Sequence, residues 1–170
     1  MSNKSKIKGK TFEREISKYL SELYSESFRP VMNSGAYIGG KNNIRRQTLS
    51  ENQIKSYKGD IVPPDDWKYF NCECKSYSDF PFHQLFNDIT IPLLESWIEQ
   101  LRETANPGDY NIIIMKFNRK GRYIMIEKNN LFEYEKYIQY KDKNGKIWIF
   151  MNLECFFKNN KEVFYKNVTG

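Results

Sequence analysis

Four consecutive apolar residues, Ile112-Ile113-Ile114-Met115, set the strongest constraint on how this chain folds. Neighbouring side chains of a strand point to opposite faces, so a strand made of them must be covered on both sides. The covering layers are legible as helices. Phe12, Ile16, Tyr19, Leu20 and Leu23 form one helical stripe, which predicts a first helix from Thr11 to about Ser25. Leu93, Leu94, Trp97, Ile98 and Leu101 mark a second, ending before Asn106-Pro107-Gly108.

Between and after them the pattern is one of strands. Arg29 to Asn33 reads as a short strand. Asp60-Ile61-Val62, the turn-forming Pro63 to Asp66, and Trp67 to Lys75 read as a hairpin. Phe82 to Phe86 is a helical turn or loop, and Tyr123 to Ile126 returns antiparallel to the apolar strand. Asn144-Gly145 predicts a two-residue turn between Ile138–Tyr140 and Ile147–Phe150, and Leu153 to Lys158 a short terminal helix. The fold class is therefore α/β: a mixed central sheet flanked by helices, with a C-terminal hairpin.

At 170 residues a single domain over 1–170 is expected, with 130–170 as a C-terminal extension of the core. The net charge of +6 and pI near 9.1 favour an anionic partner, nucleic acid above all. No apolar run approaches the roughly 20 residues of a membrane span. Three cysteines, two of them two residues apart, do not make a disulfide framework, so a cytoplasmic protein is expected. Richness in Lys, Asn, Ile and Tyr points to an AT-rich genome, that of a phage or low-GC bacterium, hence a bacterial or phage-infected cytoplasm.

The segment Phe70 to Ser76, FNCECKS, alternates two thiols with two opposite charges. Phe70, Cys72 and Cys74 share one face of a strand; Asn71, Glu73 and Lys75 share the other. The thiols read as small buried hydrophobes. A zinc site needs further ligands, and Cys155 and His83 have no recognisable ligand spacing. The opposite face carries the chemistry. Asp60 returns near Glu73 in the expected hairpin, whereas Asp65 and Asp66 sit at its tip, on the order of 20 Å away. Asp60 and Glu73 are the hard oxygen ligands that Mg²⁺ or Mn²⁺ takes, and Lys75 can orient water or neutralise charge on a phosphate. By itself the E-x-K triplet reads more readily as a surface ion pair beside a turn aspartate. The alternation, the upstream Asp60 and the basic charge reverse that preference.

Taken together, KGKTFEREI (Lys8 to Ile16), NSG (Asn33 to Gly35), KGDIV (Lys58 to Val62) and CECKS (Cys72 to Ser76) resemble the PD-(D/E)xK nuclease superfamily. Within it they are most similar to archaeal and phage Holliday-junction resolvases. The resemblance covers about residues 8 to 77. It implies a restriction-endonuclease-like core and a metal-dependent endonuclease, commonly a homodimer on branched DNA. Gly9, Glu13 and Arg14 match the family's G-x-x-x-E-R helix, Ser34 its loop serine, and Asp60, Glu73 and Lys75 its catalytic strand positions. Glu13, Asp60 and Glu73 would hold the metal. Periodicity leaves Glu13 and Glu15 as equal rivals on the two sides of the apolar stripe; the resemblance selects Glu13. The long 34–58 loop and the C-terminal hairpin depart from compact archaeal resolvases, which leaves the substrate more open than the chemistry.

The 34–58 stretch reads as a long flexible loop. Gly35, Gly40 and Lys41 fit the spacing of a phosphate loop, but Asn42 replaces its Ser or Thr and no amphipathic helix follows, so no nucleotide cofactor is expected. Lys41, Arg45 and Arg46 fit contacts to DNA phosphates better, the alternative being a basic loop without a role. Gln100 reads as an ordinary exposed glutamine, or else as a polar residue near the metal. Trp97 reads as core. The expected function is a DNA endonuclease acting on branched DNA. Its alternatives are a phage or restriction-type endonuclease on duplex DNA and a non-catalytic DNA-binding protein of the same fold.

Overall fold

The computed structural model describes residues 3–32, 50 and 56–170, with side chains in the first helix from residue 7 onward. Helix α1 spans Asn3–Tyr24 and starts earlier than the apolar stripe, which is confined to its later turns. Phe12, Ile16 and Leu20 are buried on that stripe, and Ser25 in a left-handed conformation (φ 55°) ends the helix. Strand β1, Arg29–Pro30, pairs antiparallel with β2, Ile61–Val62.

This pairing replaces the expected hairpin. Strand β3 begins at Phe70 and runs to Tyr77. Pro63 and Pro64 have no N–H to offer a ladder, so they break it between β2 and β3. Trp67 turns inward instead of continuing a strand. It is fully buried against Tyr24, Phe28 and Phe70, and its Nε1–H donates to Glu26 Oε2 at 2.9 Å.

After a 3₁₀ turn at Phe82–Phe86, helix α2 (Pro92–Thr104) crosses back to β4 (Tyr110–Phe117), which lies parallel to β3. β5 (Gly121–Glu127), β6 (Ile138–Lys141) and β7 (Ile147–Asn152) complete a five-stranded sheet in the order β3-β4-β5-β7-β6. The C-terminal hairpin is thus built into the sheet, through β7 against β5. Its turn has three residues. Gly145 N–H donates to Asp142 O, and Asp142 N–H to Lys146 O, each at 2.9 Å, with Gly145 at φ 81°. That is a type I turn followed by a left-handed glycine, where two residues were expected.

Helix α3 runs from Leu153 to Thr169, well past the short helix expected. Asn152 caps its start by accepting the Cys155 N–H at 2.9 Å. Phe156, Phe157, Phe164 and Val168 bury its inner face; Asn160, also inward, donates to Glu133 O and accepts the Glu133 N–H. A buried polar residue inside the stripe is what hid the helix's length from a periodicity reading.

Ile112 to Met115 are fully buried, and the two faces of β4 meet two different cores. Ile112 and Ile114 join Phe70, Cys72, Cys74, α1 and α3. Ile113 and Met115 join Leu94, Trp97, Ile98 and Leu101 of α2. β3 is left at the edge of the sheet, between the two helical layers.

Candidate active site

An edge strand carries a row of N–H and C=O groups that no neighbouring strand takes. On β3 the segment 58–60 occupies that edge. Asp60 N–H donates to Cys72 O at 2.8 Å, and the Asp60 carboxylate accepts the Cys74 N–H through Oδ2, also at 2.8 Å. Such an approach requires glycine at position 59. Gly59 has φ +61°, and a Cβ there would lie 2.4 Å from Cys72 O. Lys58 is itself buried, in an ion pair with Asp109 just ahead of β4. The K-G-D triplet is therefore a clamp that sets the Asp60 carboxylate against the outer edge of β3.

On the α2 face of the same strand, Glu73 is fully buried and Lys75 nearly so. Lys75 Nζ donates to Glu73 Oε2 at 3.0 Å and to Gln100 Oε1 of α2 at 2.6 Å. The expectation of an ordinary exposed Gln100 is thereby corrected: it is half-buried and holds the lysine. Its place three residues after Trp97 and seven after Leu93, on the helix's inward side, is the signal that could have found it.

Asp60 and Glu73 meet carboxyl to carboxyl within hydrogen-bonding reach. Burial, then the charge of Asp60, pushes the Glu73 carboxyl up to about 8; burial also raises Asp60, against the pull of the Cys74 N–H and Lys75. With a proton on Glu73 the pair can share it. With both ionised, Glu73 Oε1 is buried without a partner. Glu13 reaches the same site from α1. Burial first and the Asp60 charge second push its carboxyl up to about 7, while Lys10, Lys75 and Arg14 pull it down. Glu15 points elsewhere, to Lys116 at 2.6 Å and Arg122 at 3.4 Å. Between the two rivals on α1, the fold brings Glu13 to the site.

A family model described as "Phage putative PDDEXK endonuclease" matches residues 4–166. The chain belongs to this family. No curated protein and no solved structure matches it. The match reaches far beyond the four sequence blocks and takes in α2, which lays Gln100 over Lys75, and the sheet and helix from β4 to α3.

Within this phage PD-(D/E)xK family member the remaining sequence candidates fall into place. Cys72 and Cys74 are buried on the α1 face, where burial pushes the Cys72 thiol up; Cys155 and His83 are exposed. Asp65 and Asp66, the more obvious "PD" aspartates, are exposed in the turn before Trp67. Ser34, Lys41, Arg45 and Arg46 lie outside the described residues, as does the 34–49 part of the loop. Among the described residues no group of three or more His, Cys, Asp and Glu side chains is spaced to hold a metal ion. Nor is any described helix long and apolar enough to cross a membrane.

The two-carboxylate pair nevertheless fits a divalent cation. Mg²⁺ is commonly held by one or two carboxylates, its other positions going to water and substrate phosphate. Asp60 and Glu73 supply hard oxygens, crowd each other's charge, and leave Glu73 Oε1 unpartnered. A cation there would relieve both the crowding and the missing partner at once.

Proposed function

We propose that this family member is a divalent-cation-dependent endonuclease that hydrolyses DNA phosphodiester bonds, with branched DNA such as a four-way junction as its substrate. Asp60 and Glu73 would hold Mg²⁺ or Mn²⁺, with Glu13 beside them. The cation, when bound, would polarise the phosphate and offset the negative charge that builds up on it.

The chain's own groups do the rest. The Cys74 N–H and the Gly59 approach fix Asp60, so its carboxylate needs little reorganisation on binding. Lys75, held between Glu73 Oε2 and Gln100 Oε1, directs its remaining N–H toward the scissile phosphate and stabilises charge developing there. Glu13, near 7, is poised to accept a proton from an attacking water at neutral pH. Junction cutting in pairs implies a symmetric homodimer. The single observation that supports this reading most strongly is the Asp60–Glu73–Lys75–Gln100 constellation, built on the edge strand of the sheet.

The test is cleavage of a labelled four-way junction against its matched linear duplex, with Mg²⁺ and with EDTA, beside Glu73→Ala. Metal-dependent paired cuts in the junction alone, absent from the variant, support the proposal. Equal cutting of both substrates keeps the catalytic site but makes the enzyme a duplex endonuclease. DNA bound and never cut, under every condition, overturns it in favour of a binding protein.

A further inference from the structure

This inference rests on the endonuclease reading and concerns how the substrate strand is held. α1 and β1 enclose a cavity of about 550 Å³ whose walls carry three cations, Lys10, Arg14 and Arg29, and one carboxylate, Glu13. All three cations are exposed, and none is in an ion pair among the described residues. Other cations near α1 are matched: Lys18 is paired with Glu22, Lys116 with Glu15, and Arg122 with both Glu15 and Glu154. Three positive charges against one negative, drawn to one concavity beside the catalytic carboxylates, make a place for an anion. Pro30 and Val62 add apolar wall of the kind a sugar ring packs on.

Gly9 carries the second observation. It lies inside the 22-residue α1, one turn before Glu13, where glycine weakens a helix. Among the described residues a Cβ at Gly9 would meet nothing within 4 Å. Packing against the described residues therefore gives no reason for a missing side chain here, whereas Gly59 has an evident one. Close approach of another molecule's backbone is such a reason.

We propose that this cavity is the subsite for a backbone phosphate of the DNA strand, flanking the phosphodiester that is cut. Lys10, Arg14 and Arg29 hold its oxygens, and Gly9 gives the sugar–phosphate chain room along α1. Arginine suits the role through its fork of donors, and such contacts fix register without reading bases.

The experiment measures binding of a fluorescein-labelled four-way junction and its matched duplex in EDTA, across a salt series. Lys10→Gln, Arg14→Gln and Arg29→Gln are compared with Lys158→Gln, an exposed control on α3. Each of the three is expected to weaken binding of both DNAs and to lower the salt slope, by no more than about 1 for the one phosphate they share, while the control changes neither. With Mg²⁺ present, a neutral methylphosphonate next to the cut should slow cleavage by the wild type and slow Arg29→Gln by a smaller factor. Gly9→Ala should raise Tm yet weaken binding, a split that a purely structural glycine does not produce. Wild-type affinity and salt slope in all three cation variants would overturn the proposal. Failure of the endonuclease reading looks different: nothing is cut by any protein, yet the binding differences persist.

Discussion

Lys75 Nζ stands between two oxygens from different elements, Glu73 Oε2 on its own strand at 3.0 Å and Gln100 Oε1 on α2 at 2.6 Å. The strand alone would leave a long, flexible side chain free to swing into solvent. Gln100 removes that freedom without neutralising the charge, so the ammonium stays available to a phosphate. Truncating Gln100 should therefore act on the chemical step. A hydrogen bond to a charged group contributes about 1.5–3 kcal/mol, which corresponds to roughly 10- to 100-fold in rate. We expect Gln100→Ala to lower single-turnover cleavage by that factor with DNA affinity unchanged, and Lys75→Met to abolish cleavage. Loss of affinity with an unchanged rate would assign Gln100 to binding instead.

Gly59 has no tolerated substitute. Alanine would carry the left-handed φ of +61° and place its Cβ 2.4 Å from Cys72 O, a backbone atom fixed in β3. Strain of this kind costs at least about 2 kcal/mol, or on the order of 4–8 °C in Tm for a chain of this size. Gly59→Ala should also disturb Asp60, so cleavage should fall further than the fraction of folded protein. Calorimetry paired with activity on the same samples checks both parts.

Cation binding has a signature independent of catalysis. If Asp60 and Glu73 hold a divalent ion, Mg²⁺ stabilises the folded state by mass action, by about 2.7 kcal/mol at a hundred times Kd. Tm of the wild type should rise with Mg²⁺ concentration. At neutral pH in EDTA, Asp60→Asn and Glu73→Gln should each start from a higher Tm, having lost a carboxyl that burial makes hard to ionise, and gain little from the ion. Equal responses in all three proteins would place the ion elsewhere.

Without the ion, the raised carboxyls make stability fall with pH. Glu73 titrates near 8 and Glu13 near 7 in the folded protein, against 4.5 ordinarily. Between 4.5 and those values the folded state keeps protons that the unfolded chain has released, so the contribution is complete below 4.5 and lost as pH rises to 8. The lowered carboxyls of Asp79 and Asp142 titrate below 3.8 and stay out of this window. In EDTA, Tm should decline from pH 5 to pH 8, and Glu73→Gln should flatten the decline. Superimposable profiles would show that Glu73 is not the group responsible.

Local pattern was enough for the parts of this protein that depend on neighbours along the chain. The run Ile112 to Met115 requires a strand covered on both faces, because a strand's side chains alternate. The alternation from Phe70 to Lys75 sorts thiols to the core and Glu73 with Lys75 to the opposite face for the same reason. What only the tertiary structure decided are meetings between segments distant in sequence. Asp60 comes to Glu73 not through a hairpin ladder, which Pro63 and Pro64 interrupt, but because Gly59 lets the chain press on the open edge of β3. Glu13 and Glu15 look alike from periodicity, and they part because Lys116 and Arg122 claim Glu15 across the fold. Gln100 becomes part of the site because the crossover from β3 through α2 to β4 lays its helix over Lys75. Periodicity records which side of an element is buried; which distant residue waits on that side is fixed by how the layers close.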